Sequence, residues 1–206
     1  MQSATEHFFV EERKDCNIIH LISPDHMNRL TGASVRALKA LLEEIGGERQ
    51  PAANCSSLII TGNDDYFSVG ADLNEIAVLT PVDALEFARC GQQLMELIDD
   101  FPAPVYAAIS GYCMGGGLDL ALACDFRLSS ANAVFGHRGA ALGLITGWGG
   151  TQRLPALIGR GKSLQMFAGA ERLHARDALE IGLVDGIAPN PLARCLELIE
   201  IRSRAD

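Results

Sequence analysis

Short apolar runs alternate along this chain with segments of helical periodicity, and that alternation constrains the fold more than any other feature. The runs at residues 16–22, 57–61 and 104–109 are rich in Ile, Leu, Val and Ala, as buried strands are. Between them, apolar residues recur every three or four positions around 35–45 and over 80–98, where a capping Thr is followed by Pro. Strand, helix, strand, helix, strand is typical of βαβ units, so the sequence predicts an α/β fold with a largely parallel sheet.

Local signals also predict where several of these elements end. Gly46-Gly47 is expected to close the first helix, and residues 48–56 read as a loop. A strand is predicted at 124–128, and the rest of the chain is mainly helical in pattern. Gly182 is the expected end of a helix in that last part.

Composition narrows the class of protein. The chain has 206 residues, 48% of them hydrophobic, and a formal net charge of −9, which disfavours nucleic acid because phosphate binding draws on clustered Lys and Arg. No apolar stretch approaches the ~18 residues of a membrane helix, and the N-terminus has no secretory signal, so we expect a cytoplasmic protein without a membrane partner. Six cysteines without CxxC pairs or neighbouring His predict reduced thiols and no metal site. They are Cys16, Cys55, Cys90, Cys113, Cys124 and Cys195.

Three glycine-containing segments carry the functional signal. Residues 66–73 and 111–120 each follow a predicted strand and precede a helical pattern, and the third segment spans 135–154. In a parallel sheet, loops at the carboxyl ends of strands gather on one side and form the ligand crevice. The triple glycine at 115–117 also opens a helix, whose free N–H groups suit a negative oxygen. The plain alternative is that these glycines only permit tight packing of strand on helix.

In this order the segments resemble the crotonase superfamily, also called the enoyl-CoA hydratase/isomerase family. FSVGADLNEI at 67–76 is similar to the family's first acyl-CoA loop, and the stretch at 104–128, with its GGG, is similar to the second. FGHRGAALGLITGWGGTQRLPALIG at 135–159 resembles the third, and 168–187 resembles the helical stretch beyond. The similarity covers most of residues 16–190.

The resemblance implies a crotonase-like ββα spiral of parallel strands with surrounding helices. Residues 1–190 would form the acyl-CoA-binding core, and 191–206 a short C-terminal helix. A coenzyme A thioester would be the substrate, with no covalently bound cofactor. In the family, two backbone N–H groups bind the thioester oxygen as it becomes enolate-like, and the matching positions here are Ala71 and Gly116. Losing one such donor typically costs ~3–4 kcal/mol of transition-state stabilisation.

Further substrate contacts follow from the same resemblance. Met27 and Arg29 match the stretch that touches the coenzyme A tail, where Arg29 can meet a phosphate or remain an exposed loop arginine. The other binding positions lie in the glycine segments. They are Val69, Gly70, Asp72, Leu73, Gly115 and Gly139.

The catalytic acids are where the sequence departs from the family. Its hydratases use two glutamates to handle water and a proton; Asp119 and Gly139 stand at those positions, so one acid is shortened and the other is absent. Asp119 can act as an acid–base group, or it can cap or hydrogen-bond locally at the helix start, and both interpretations stay open. Histidine as a residue type titrates near neutrality, so His137 can substitute as a base, although a structural loop histidine is the interpretation we favour. Trp148, the one tryptophan, is expected to pack in the core.

The end of the chain bears on assembly. The resemblance implies a homo-oligomer, a trimer or hexamer, built partly by helices beyond the region that matches GLVDGI. Here only residues 188–206 follow that region, and apolar residues at helical spacing within them predict one amphipathic helix. We therefore expect a shortened C-terminal helical region and a weaker basis for the trimer.

Three functions remain open at this point. The first is an enzyme of the hydratase/isomerase type that stabilises a thioester enolate in a backbone oxyanion hole. The second is an acyl-CoA decarboxylase of the same fold, because loss of carbon dioxide generates the enolate without a strong base. The third is a non-catalytic acyl-CoA-binding protein, since Gly139 replaces the second glutamate.

Overall fold

The computed structural model describes residues 5–46 and 56–204. The strands are β1 (Phe8–Glu12), β2 (Cys16–Leu21), β3 (Arg29–Leu30), β4 (Ser57–Thr61), β5 (Tyr66–Ser68), β6 (Gly70–Ala71), β7 (Val105–Ile109), β8 (Tyr112–Met114), β9 (Phe126–Ser129), β10 (Val134–Gly136), β11 (Arg172–His174) and β12 (Gly186–Ile187). The helices are α1 (Gly32–Gly46), α2 (Leu73–Ala77), α3 (Pro81–Asp99), α4 (Gly116–Ala123), α5 (Gly150–Ile158), α6 (Arg160–Ala168), α7 (Ala175–Glu180) and α8 (Pro191–Ser203).

The main sheet has the order β1-β2-β4-β7-β9-β12. All its neighbours are parallel except β1 and β2, which pair antiparallel at one edge. The predicted α/β fold with a largely parallel sheet is therefore confirmed. Sequence analysis missed β1, because its alternation of buried and exposed residues runs over only five positions and ends in two glutamates.

A second sheet, β11-β10-β8-β5, and the pair β3-β6 lie beyond the carboxyl ends of the main strands. Three main strands, β4, β7 and β9, each continue into a strand of the second sheet before the next helix begins. That repeat is the ββα spiral implied by the resemblance. The corner between β7 and β8 requires Gly111, whose φ is +59° and where a Cβ would lie 1.8 Å from the Asp65 carbonyl oxygen.

Strands β2, β4 and β7 send alternate side chains to two separate cores. Ile19 and Ile60 lie in the larger core, under α1, α3 and α4. Ile18 and Ile59, their immediate neighbours, face the opposite side of the sheet and pack in the smaller core. Helix α8 covers this second face through its buried apolar residues, so it lies across the sheet from the glycine segments.

Helix ends follow the local signals closely. Thr80 caps α3 in a reciprocal capping box with Asp83, as the Thr-Pro pair predicts. Helix α1 ends at Gly46, while Gly47 and residues 48–55 of the predicted loop over 48–56, Cys55 included, lie outside the described residues. Gly182 follows the end of α7 with a φ of +76°, as expected of a helix-terminating glycine. Sequence analysis predicted a mainly helical pattern for the last part of the chain and missed β10, β11 and β12 there, because these strands are only two or three residues long.

Two further observations concern the predictions drawn from composition. Within residues 5–46 and 56–204, no helix has the length and apolar content needed to cross a membrane. Each of the five cysteines in those ranges is a free thiol, and four of them are buried.

Candidate active site

A cavity of about 670 Å³ opens where the glycine segments meet. Nine of the eleven residues singled out from the sequence line it, and they come from four separate stretches of chain. They are Met27, Arg29, Val69, Ala71, Leu73, Gly115, Gly116, Asp119 and Gly139. Gly70 and Asp72 do not line the cavity. Gly70 packs behind the wall, and Asp72 caps α2 by accepting a hydrogen bond from the backbone N–H of Asn74.

The backbones of the first two glycine segments touch at this wall. Gly70 has a φ of +88°, and a Cβ there would lie 2.7 Å from the Gly116 nitrogen. A Cβ on Gly116 would in turn lie 3.4 Å from the Ala71 nitrogen. Only glycines permit this approach, which brings the amides of Ala71 and Gly116 side by side at the cavity.

Neither N–H group takes part in the hydrogen bonds of regular secondary structure. Ala71 stands opposite Leu30 in the parallel β3-β6 pair, and the neighbouring Asp72 N–H donates to the Leu30 carbonyl oxygen. Since successive residues of a strand bond to opposite sides, the Ala71 N–H points away from β3. Gly116 is the first residue of α4, so its N–H has no carbonyl one turn earlier to bind. Both donors therefore remain for a ligand.

Trp148 forms the wall behind Gly116. A Cβ on Gly116 would lie 2.4 Å from Cζ3 of the indole, which is 3% exposed. The indole Nε1 donates to the Phe87 carbonyl oxygen at 3.3 Å, and the two rings pack with centroids 5.1 Å apart. The predicted packing role is thus confirmed, and the ring also excludes water from one side of the cavity.

Asp119 is buried on α4, with 1% of its surface exposed. The Thr146 hydroxyl donates to its Oδ2, and the Trp148 N–H donates to the Thr146 oxygen at 3.4 Å. Its Oδ1 lies over Gly150, where a Cβ would come within 2.0 Å. Asp119 does not cap the helix, because Gly115 is the N-cap residue and no side chain bonds there, but its carboxylate does lie in the first turn of α4.

His137 faces Asp119 from the third glycine segment. Its Nε2 lies 3.2 Å from Asp119 Oδ1, and its ring packs against Phe167 with centroids 4.9 Å apart. The side chain is buried rather than placed on a solvent-exposed loop. Next to it, Arg138 is exposed and lines the cavity.

Gly139 has no room for a larger side chain. It begins a 3-10 turn over Gly139–Leu142, and its carbonyl oxygen accepts a hydrogen bond from the Leu144 N–H at 2.9 Å. A Cβ on Gly139 would lie 2.7 Å from the Leu144 carbonyl oxygen. Among the described residues that line the cavity, Asp119 is the one carboxylate.

Buried polar contacts fix the loop that carries Met27 and Arg29. Asn28, with a φ of +53°, donates from Nδ2 to the Tyr66 carbonyl oxygen at 2.7 Å, and the Ser68 hydroxyl donates to the Asn28 carbonyl oxygen. Arg29 is not a free loop arginine, because its Nε donates to Asp25. Hydrogen bonds from Ser23 and then from Arg29 lower the pKa of Asp25 to about 2, so this pair stays charged at neutral pH.

The structure adds residues that sequence reasoning missed. Thr146 reaches Asp119 across 27 positions, a contact that leaves no local pattern. Arg172 lines the cavity from β11, a strand the helical pattern concealed. The apolar wall comes from α2, α3 and the segment between them. Its members are Ile76, Leu79, Ala84, Phe87 and Ala88, of which the last three share one face of α3 and show the spacing that could have identified them.

With this geometry established, known proteins provide a comparison. The family model described as enoyl-CoA hydratase/isomerase matches residues 11–197. Crotonyl-CoA hydratase of Syntrophomonas wolfei is 36% identical over 185 residues, which is 89% of this chain and 70% of that protein. A putative enoyl-CoA hydratase/isomerase of Bacillus subtilis, YngF, is 39% identical over 180 residues, or 87% of this chain and 68% of the relative.

Solved structures agree with the sequence matches. DspI of Pseudomonas aeruginosa superposes with a TM-score of 0.90 at 35% identity, covering 97% of this chain and 81% of its own. An enoyl-CoA hydratase from Bacillus anthracis gives a TM-score of 0.87 at 34% identity, with 94% of this chain and 75% of the other covered. This chain therefore belongs to the enoyl-CoA hydratase/isomerase family of the crotonase superfamily.

Proposed function

We propose that this protein is an acyl-CoA-processing enzyme of the hydratase/isomerase type. In this proposal the N–H groups of Ala71 and Gly116 bind the thioester oxygen and stabilise the enolate. The observation that carries the proposal is the contact between these two backbones at the cavity wall, with both N–H groups left free of the hydrogen bonds of β6 and α4. Preorganised donors of this kind act on charge as it develops, without reorganising at the moment of reaction.

The surroundings of the two amides strengthen such an effect. Gly116 opens α4, so the positive end of the helix dipole faces the same oxygen. The Trp148 indole keeps water from that side, which raises the value of each electrostatic contact. The apolar wall from α2 and α3 suits an acyl chain, and Met27 and Arg29 at the cavity suit the coenzyme A tail. The thioester is then the substrate, and no covalently bound cofactor takes part.

Asp119 is the acid–base group of the proposed mechanism. It is buried beside the amide pair and held by Thr146, which positions a carboxylate near the carbons adjacent to the thioester. A positioned acid or base contributes typically ~10²–10⁴-fold to a rate.

An acyl-CoA decarboxylase of the same fold is the second candidate. It is favoured by one observation: Gly139 and its neighbour Leu144 leave no room for a second acid, and Asp119 is the one carboxylate lining the described cavity. Loss of carbon dioxide forms the enolate without a strong base, so one acid is enough.

Mass spectrometry of the purified protein with crotonyl-CoA and with malonyl-CoA separates these functions. We expect crotonyl-CoA to gain the mass of one water. Conversion of malonyl-CoA alone would establish the decarboxylase instead, and binding of both esters without turnover would establish a non-catalytic acyl-CoA-binding protein.

A variant pair tests the amides themselves. Gly116→Ala places a methyl group against Trp148 and beside the Ala71 nitrogen, and we expect turnover to fall ~10²–10³-fold, as when an oxyanion donor is lost. Gly161→Ala is the matched control, because no atom lies within 4 Å of its added Cβ. Equal turnover in the two variants would contradict the proposed role of the amides.

Assembly and location complete the proposal. We propose a homo-oligomer, a trimer or hexamer, in the cytoplasm, with the acyl-CoA as its small-molecule partner. Light scattering coupled to size-exclusion chromatography measures the assembly directly, and a monomer at micromolar concentration would contradict it.

A further inference from the structure

The facing atoms of His137 and Asp119 are buried and otherwise unused. Nε2 of the histidine and Oδ1 of the aspartate lie 3.2 Å apart, with side-chain exposures of 5% and 1%. Within residues 5–46 and 56–204, neither atom has an aligned hydrogen-bond partner. Buried polar atoms are rarely left in this state, because each forfeits the hydrogen bonds it made to water. Such atoms in a cavity wall indicate a function that the resting contacts do not satisfy.

None of the described neighbours below forms a hydrogen bond with the two facing atoms of the pair. Thr146 occupies Oδ2 of Asp119, and Phe167 from α6 covers the face of the imidazole with an apolar ring. From β8, Cys113 lies near Asp119, but burial raises its pKa well above the ordinary value, so that thiol stays neutral. Other ionisable side chains line the same cavity. They are Arg29, Tyr66, Tyr112, Arg138 and Arg172.

Both side chains also lie where the chemistry has to occur. Each lines the cavity that holds the Ala71 and Gly116 amides, and Asp119 is on the same helix as Gly116, three residues along. At Gly139, where a second acid would be needed, an added Cβ would lie 2.7 Å from the Leu144 carbonyl oxygen. The nearest buried ionisable partner of Asp119 is therefore His137, not a residue at 139.

We propose that His137 and Asp119 act as one acid–base pair that carries a single proton, which Nε2 or Oδ1 holds in turn. The proposal rests on the function proposed above and names the group that shares its proton work. It assigns to the pair both tasks of the family's two glutamates, the handling of water and of a proton, although Asp119 is the one carboxylate at those two positions. In this proposal His137 has a functional role, in place of the structural role favoured from the sequence.

For hydration the step balances without a further reactant. The oxygen of water forms a bond to C3 of the enoyl thioester while the pair accepts one proton from that water. The C2–C3 π electrons move toward the thioester carbonyl, whose oxygen the two amides hold as an enolate. The enolate then collapses, C2 takes one proton from the pair, and the pair returns to its starting state. The sum is one water added across one double bond.

The first test is His137→Gln, which keeps a polar side chain of similar length but cannot titrate. We expect kcat with crotonyl-CoA to fall ~10²–10⁴-fold while KM changes less than about threefold, because the pair acts in the chemical step rather than in binding. The pH dependence of kcat should also change, since an imidazole is the side chain that titrates between about pH 5 and 8. His174→Gln, at an exposed histidine outside the cavity, is the control and should match the wild type.

Two further measurements keep the inference separate from the proposed function. In the double variant Asp119→Asn/His137→Gln, kcat should be no lower than in the less active of the two single variants. The reason is that the effects of substituting residues that act as a unit are not additive. In NMR spectra, the ring signals of His137 should shift in Asp119→Asn and stay unchanged in His174→Gln, whether or not any thioester is turned over. A wild-type enzyme inactive on every thioester would overturn the proposed function. Additive losses, an unchanged pH profile in His137→Gln or an unaltered His137 signal in Asp119→Asn would overturn the pair.

Discussion

At the scale of single residues, Asp119 owes its position to a neighbour without a side chain. The carboxylate fills the space over Gly150, where a Cβ would lie 2.0 Å from Oδ1 and 2.9 Å from the Thr146 methyl group. An added methyl group must therefore displace the acid, the threonine or both. Asp119 is in this sense held by packing as much as by its hydrogen bond from Thr146.

Gly150→Ala should accordingly reproduce much of the loss caused by removing the acid. We expect kcat to fall at least ~10²-fold, because a positioned acid–base group contributes that much or more, while the circular dichroism spectrum stays native. Gly161→Ala is again the control, since its Cβ enters open space within helix α6 and should leave kcat unchanged. Full activity in Gly150→Ala would show that Asp119 does not need its present position.

The missing glutamate cannot simply be restored. In Gly139→Glu the new Cβ would lie 2.7 Å from the Leu144 carbonyl oxygen, a backbone atom within the hydrogen-bonded turn. We expect a loss of about 1–3 kcal/mol in the free energy of unfolding, as in overpacked sites, and no gain in hydration of crotonyl-CoA. Urea unfolding and the hydration assay check the two parts. Faster hydration at unchanged stability would mean that the turn accommodates an acid after all.

Much of the site at this scale was beyond sequence reasoning. The proposed donors at Ala71 and Gly116 are backbone groups, which leave no side-chain signature, so only the resemblance pointed to them. Thr146 and His137 meet Asp119 across 27 and 18 positions, and such distances carry no periodicity. What the sequence does mark is the glycines, because close backbone approach admits no other residue.

At the scale of elements, the features encoded by local sequence could be predicted, and those that depend on tertiary contacts could not. The capping box at Thr80 and the glycine after α7 are encoded within four residues, so their helix ends could be predicted. Strands β3, β6 and β12 have two residues each, and they are defined by their partners rather than by any pattern of their own. The long buried strands β2, β4 and β7 carried enough apolar residues to be found within one residue of their bounds.

Helix α8 should stabilise the fold without serving the cavity. Ile199 is 3% exposed in the smaller core, on the face of the sheet away from the glycine segments. We expect Ile199→Ala to lower the free energy of unfolding by about 2–5 kcal/mol, as truncation of a buried isoleucine does, with kcat unchanged where the protein remains folded. Ile201→Ala, at a residue 60% exposed, is the matched control and should stay within about 0.5 kcal/mol of the wild type. A fall in kcat in folded Ile199→Ala would couple α8 to the site.

At the scale of the whole molecule, one sheet separates two cores with different tasks. The larger core supports the helices and corners that form the cavity, and the smaller one joins the sheet to α8. Composition alone could indicate that such a chain buries a core, but not that the core is divided. The division follows from the strand alternation once the strands are placed side by side.

The cysteines report on the integrity of both cores. Burial raises the pKa of Cys124 and of Cys195 to about 12, and it also raises the pKa of Cys16 and Cys113. A raised pKa leaves almost no thiolate at pH 8, and the thiolate is the species that attacks a disulfide reagent. These four thiols should therefore react only after the core around each of them opens.

With a chromogenic disulfide reagent at pH 8, we expect at most one of the five cysteines in the described ranges, the half-buried Cys90, to label rapidly in the native protein. All six should react in urea. Cys90→Ser should remove one rapid equivalent, and Ile199→Ala should speed the labelling of Cys195 but not of Cys113, because only the former shares the smaller core. Peptide mapping identifies each labelled site. Rapid labelling of Cys113 or Cys124 in the native wild type would show that the larger core opens far more readily than its burial implies.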